Sequence, residues 1–255
     1  MRIDLNADLG ESFGNYKCGM DEEVIRYISS ANIACGFHAS DPLVMSQTVK
    51  MGTEHLVAIG AHPGYPDLVG FGRRNMAVAP EELKAMVQYQ IGALKAFCDA
   101  NSVKLQHVKP HGAMYNMAAK DEKLAGAIAQ AVYEVDPDLI LLGLSGSLML
   151  DVAKKTGLRV ANEVFADRAY QPDGTLVPRT QEGAVIQDEM LAVRRTLKMV
   201  KKGTVTAIDG TEIPIKADSV CLHGDGRKAV LFAKKLFEAF VKEGIEITPI
   251  GKVIR

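Results

Sequence analysis

The chain has 255 residues, 47% of them hydrophobic and 24% charged, enough to bury one large core and a length common for a single α/β barrel. Its 30 basic and 31 acidic residues leave a formal net charge of -1, which excludes a strong field toward nucleic acid or an anionic membrane and favours small-molecule chemistry. The opening MRIDLNADLG has no signal-peptide core, the longest nearly apolar stretch, LILLGLSGSLML, is too short to span a bilayer, and Cys18, Cys35, Cys98 and Cys221 form no CxxC pair. These features predict a cytoplasmic protein with reduced thiols.

In chain order, the strand-like runs are RIDLNADL, ANIACG, VAIGAHP, KLQHVKP, LILLGL, RVANEVFAD, SVCLHGD and EITPI. Helical patterns separate them, which is the mark of parallel strands joined by crossover helices. Asp41-Pro42 reads as an N-cap followed by a first-turn proline. From Pro80 to Cys98, Leu83, Met86, Val87, Ile91, Leu94 and Phe97 share one helical face with a single polar intruder, Gln90. Ile186, Met190, Val193, Leu197 and Val200 keep the same period.

Two stretches break the alternation, YPDLVGFGRR from Tyr65 and AYQPDGTLVPR from Ala169, either of them a candidate lid. TAIDGTEIPIKAD carries Asp209-Gly210 between apolar residues and predicts a small hairpin. Seven or eight strands in this order predict one (β/α) barrel over residues 1–255, with a doubly wound open sheet as the competing α/β arrangement.

In such a barrel the loops after the strands gather on one rim. Asp8 and Glu11 end the first strand, His38 follows the second, His62 ends the third, and Lys109 with His111 ends the fourth. Glu163, Asp167 and Arg168 end the sixth, and His223 with Asp225 the seventh. Any one of these is more often a turn or solvated residue; their shared rim marks Asp8, His62, His111 and Lys109 as catalytic candidates. Asn6 shares the strand face of Asp8 and is placed to orient it. Asn6, Glu11, His38, Glu163, Asp167, Arg168, His223 and Asp225 are candidates for holding substrate or phosphate.

Aspartate and neutral histidine either bind a metal that activates water or act directly as base and acid. Asp8, His38, His62 and His111 are the metal candidates, although HExxH and paired cysteines are absent. Lys109 and Arg168 fit an oxyanion, carboxylate or phosphate contact, or a structural ion pair. The GxxxxGK[ST] loop is absent, GFG at Gly70–Gly72 is too short to signal phosphate, and HGDG from His223 fits an anion site or a tight turn equally.

The ordered blocks DLNADLGE, ANIACGFHASDP, GAHPGYPDLVGFGRR, VKPHGAMYN, EVFADRAYQPDGTLVPR and LHGDG closely resemble the LamB/YcsF family across essentially the whole chain. The resemblance implies a distorted seven-stranded barrel similar to the glycoside hydrolase/deacetylase superfamily. It also implies ATP-dependent opening of 5-oxo-L-proline to L-glutamate, with ATP and Mg2+ as cofactor and subunits B and C of a 5-oxoprolinase as partners. Two other readings remain: an ATP-independent, metal-assisted amide or acetyl hydrolase, and a non-catalytic ligand-binding subunit.

Overall fold

The structure is a computed structural model and describes residues 1–222 and 227–254. The strands are β1 (Arg2–Leu9), β2 (Ser30–Ala34), β3 (Ala58–His62), β4 (Leu105–Val108), β5 (Ile140–Leu144), β6 (Arg159–Phe165), β7 (Thr204–Thr206), β8 (Glu212–Pro214), β9 (Ser219–Leu222) and β10 (Glu246–Ile247). The helices are α1 (Asp21–Val24), α2 (Pro42–Glu54), α3 (Pro80–Ala100), α4 (Gly112–Ala118), α5 (Glu122–Val135), α6 (Leu148–Thr156), α7 (Glu189–Lys202), α8 (Arg227–Lys242) and α9 (Ile250–Val253). Strands β1 to β6 follow one another in parallel, β9 pairs with β6, and β9 pairs back to β1 through Asp4↔Ser219 and Asn6↔Cys221. This closes a seven-stranded parallel barrel ringed by helices, as the strand count and the resemblance lead one to expect, and it excludes the open sheet.

Alternation along β1 sets the two faces. Ile3, Leu5, Ala7 and Leu9 are wholly buried in the main apolar core, while Asp4, Asn6 and Asp8 point inward and pair with residues of neighbouring strands. The barrel lumen is therefore polar along β1 to β4 and β9, and apolar at β5, where Ile140 and Leu142 meet Ala161 of β6 and Ile250 of α9.

Helix starts follow the predicted chemistry. The Asp41 carboxylate accepts from the backbone N–H groups of Leu43 and Val44, with Pro42 opening α2. Gln90, the polar residue on the apolar face of α3, is buried and explained: its side-chain oxygen accepts from Gly64 N–H at 2.9 Å and its amide donates to Gly64 O at 3.0 Å. That pair fixes the loop after β3 against the helix.

Asp209-Gly210 turns the predicted hairpin, β7 against β8, with Gly210 at φ +91°. The last predicted strand is shorter than its pattern. Only Glu246–Ile247 pairs, against Arg2–Ile3 and outside the β1–β9 seam, because Pro249 precedes the short helix α9 that plugs the barrel floor. No helix among the described residues is long and apolar enough to cross a membrane.

Candidate active site

The carboxyl ends of the strands open into a cavity of about 620 Å³. Asp8, Glu11, His62, Lys109 and His111 line its inner wall, and Arg73, Lys120 and Arg179 lie on its outer part. His38 and Glu163 stand directly behind that wall, both fully buried. Seven of the rim candidates thus meet in one place.

Lys109 is the hub. Its buried ammonium lies 3.0 Å from Asp8 Oδ1 and 2.8 Å from Glu163 Oε1, and it donates to Asn6 Oδ1 at 3.2 Å and Cys221 Sγ at 3.2 Å. Burial alone would drive the ammonium toward its neutral form, but Asp8, Cys221 and Glu163 hold its pKa well above the ordinary lysine value. Burial likewise favours the neutral acid at Asp8, yet His62 and Lys109 keep that carboxyl well below its usual range. Asp8 is an anion facing the cavity.

Among the described residues, Asn6 makes no hydrogen bond to Asp8. It supports Lys109, and Asn32 of β2 takes the orienting role, donating to Asp8 Oδ1 at 2.9 Å and to Asn6 Oδ1 at 2.7 Å. Behind Asn32, His107 sits inside the barrel with Nε2 2.8 Å from Asn32 Oδ1, so the one strand-interior histidine is structural. Gly60 makes room for it, since a Cβ there would overlap the His107 ring.

The imidazoles of His38, His62 and His111 form a block. His38 and His111 stack at 3.7 Å with an interplanar angle of 1°, and His62 meets both edge-on. His62 Nδ1 is 2.6 Å from Lys109 O, His111 Nε2 is 2.8 Å from Phe71 O, and His111 Nδ1 is 2.9 Å from His62 Nε2. Burial pushes His111 down to about 3, with His62 adding to it, and drives His38 well below its ordinary value, with His111 adding to it. Glu11, His38, His62 and His111 each offer a donor atom, and these atoms lie within 4.8 Å of one another, the grouping best suited to a metal among the described residues.

The GFG turn packs against these rings. Gly72, at φ +61°, runs so close that a Cβ would sit 2.7 Å from both His38 and His111. Only glycine fits there.

Arg168 lines the same cavity, and its bonds tie it to the loop after β6. Arg168 is buried and donates to Val177 O at 2.6 Å and Ala184 O at 3.3 Å, holding the loop that follows β6; burial, with Arg179 next, brings its pKa down to about 10. Asp167 is half-buried and does not line the cavity. His223 and Asp225 lie outside the described residues. Asn32, Tyr115 and the Phe71 carbonyl were missed by sequence reasoning. Tyr115 donates to Glu163 Oε2 at 2.6 Å, and its only sequence signal was its place in VKPHGAMYN.

The LamB/YcsF family model matches residues 3–255. The A subunit of the 5-oxoprolinase of Clostridium beijerinckii is 64% identical over 252 residues, covering 99% of both chains. The crystal structure of the lactam utilization protein from Thermus thermophilus superposes with a TM-score of 0.93 at 48% identity, covering 97% of this chain and 99% of that one. A deacetylase solved with its substrate, 14% identical with a TM-score of 0.50, covers 99% of this chain and 89% of its own and shares the fold.

Proposed function

The chain belongs to the LamB/YcsF family, and from that premise we propose that it is the A subunit of an ATP-dependent 5-oxoprolinase, opening 5-oxo-L-proline to L-glutamate in the cytoplasm together with subunits B and C. The observation that carries this reading is the two-ended cavity: a fixed carboxylate and imidazole wall faces a rim bearing Arg73, Lys120 and Arg179. A small anionic lactam needs both ends. The rim cations suit its carboxylate and the phosphates of ATP with Mg2+, and the inner wall suits attack by water on the ring carbonyl.

A five-membered lactam holds its amine against its carboxyl at very high effective concentration, so hydrolysis needs an external drive. Phosphorylation of the lactam oxygen by ATP makes the ring carbon a better electrophile. Water adds, the ring C–N bond breaks with the nitrogen taking a proton, and the acyl phosphate that remains is hydrolysed by a second water to glutamate and phosphate. Asp8 is the base we assign to the ring-opening water. Lys109 and Asn32 hold Asp8 in place, and Lys109 offers positive charge where the oxyanion develops.

The test is glutamate release from 5-oxoproline and ATP by the assembled A, B and C subunits, compared with an assembly carrying Asp8→Asn. Asp8→Asn is expected to lower turnover by at least about a hundredfold while the complex still forms. Unchanged turnover would remove Asp8 as the base, and no glutamate from the complete unsubstituted assembly would remove the substrate.

A further inference from the structure

His62 and His111 meet nitrogen to nitrogen, and their outer partners decide what each nitrogen carries. The carbonyl oxygens of Lys109 and Phe71 can only accept, so His62 Nδ1 and His111 Nε2 hold the hydrogens and donate them. A neutral imidazole has one N–H. With each ring carrying that single hydrogen, the inner nitrogens, His62 Nε2 and His111 Nδ1, present two lone pairs 2.9 Å apart.

That contact is repulsive, and the surroundings sharpen it. Asp8 Oδ2 is 3.3 Å from His62 Nε2, and Glu11 Oε1 is 3.6 Å from His111 Nδ1. The atoms that face one another here, two imidazole nitrogens and a carboxylate oxygen, are donors of the kind that hold a metal ion. His38 adds a further sign: it is wholly buried, neither ring nitrogen has a hydrogen-bond partner among the described residues, and its Nε2 lies 3.4 Å from the same Glu11 oxygen.

We propose that a divalent ion of the zinc class binds between His62 Nε2, His111 Nδ1 and the Glu11 carboxylate, with its open side toward the cavity and Asp8 beside it. Backbone carbonyls on the outer ring nitrogens are the arrangement that orients metal-bound histidines. Ligands of one tetrahedral zinc at about 2.0–2.2 Å stand roughly 3.4 Å apart, so small shifts of these side chains complete the set. The two nitrogens favour zinc over magnesium, which prefers an all-oxygen shell, so this site is distinct from a Mg2+ carried in by ATP. Because the rings of His38 and His111 are parallel, one ion cannot lie in both planes; His38 instead presses His111 flat into place. When bound, such an ion lowers the proton affinity of a water at its open position, beside the Asp8 carboxylate.

Metal binding is read on this chain alone, so it stands or falls separately from the substrate. The full chain is stripped with chelator, titrated with Zn2+, Co2+ or Mn2+, freed of excess ion by gel filtration, and its metal content measured, with the Co2+ form also read by its ligand-field absorption. One equivalent of Zn2+ or Co2+ per chain is expected. Glu11→Gln and His111→Gln should each weaken binding about tenfold or more, while His55→Gln, at an exposed histidine remote from the cavity, should bind like the parent. Circular dichroism checks each fold, and Glu11→Gln carries the test should the histidine variant not fold. A folded parent chain that retains no stoichiometric ion, or binding unaltered in the folded variants, overturns the site. Nitrogen-15 spectra showing a doubly protonated imidazole in the metal-free chain would then identify a shared proton as the cation.

Discussion

Lys109 joins four side chains of the site, Asp8, Glu163, Asn6 and Cys221. One buried ammonium faces two carboxylates, Asp8 and Glu163, of which Glu163 is wholly enclosed. Replacing it with methionine keeps the stem but leaves two anions without their cation in a region of low polarity. Breaking a buried ion pair from one side costs about 3–5 kcal/mol. Lys109→Met is accordingly expected to lower the unfolding free energy from urea titration by that amount at neutral pH, with the m-value unchanged. The loss should shrink in acid, where the stranded carboxylates take up protons; a pH-independent loss would assign it to packing. The sequence points to Lys109 through its place just after a strand, and to Asp8, His62 and His111 in the same way. It does not point to Asn32, whose bonds to Asp8, Asn6 and His107 depend on the register of β1, β2 and β4 across the intervening β3.

At the scale of an element, the loop after β6 is the piece whose role changes most between sequence and structure. Its composition suggests a lid that carries Arg168 or Arg179 toward a ligand. In the fold, Arg168 is its anchor: the guanidinium ties Val177 and Ala184 together, and Ala169, Val177 and Ala184 form a small buried cluster of their own. Closure over a ligand is therefore proposed for the tip of the loop alone. The turn at residues 171–176 is braced by Asp173 on Thr175, and the exposed stretch from Pro178 to Thr180 lies over the cavity with Arg179 in it. Binding of 5-oxoproline with nucleotide to the full assembly should slow amide exchange at residues 175, 176 and 179–181 and leave Val177, already enclosed, nearly unaltered. Uniform protection across 169–184, or none, would contradict an anchored loop with a mobile tip. Pattern alone could not make this division, because proline, glycine and aspartate punctuate a braced turn and a free one alike.

For the molecule as a whole, the two ends of the barrel have different tasks. The upper end holds the cavity, while the floor is shut by Ile250 against Ile140, Leu142 and Ala161. Ile250→Ala should cost about 2–5 kcal/mol in equilibrium unfolding while leaving ligand affinity within twofold, since no residue of the plug lines the cavity. The barrel class was legible from eight spaced strand runs, and the plug was not, because EITPI reads as a strand until Pro249 is seen to turn it. Between the two ends lies the polar lumen, where Asp4 accepts from Ser29 at 2.7 Å, from Ser30 at 2.6 Å and from Ser219, and is raised by its burial to about 6. A strand that slipped by two residues would keep every apolar side chain on its helix-facing side, so hydrophobic contact alone would barely penalise the mistake. The same slip would strand Asp4 away from its serines and Asn32 away from both Asp8 and His107. The inward polar residues thus act as a vernier for assembly, rejecting near-miss pairings that greasy contacts would accept.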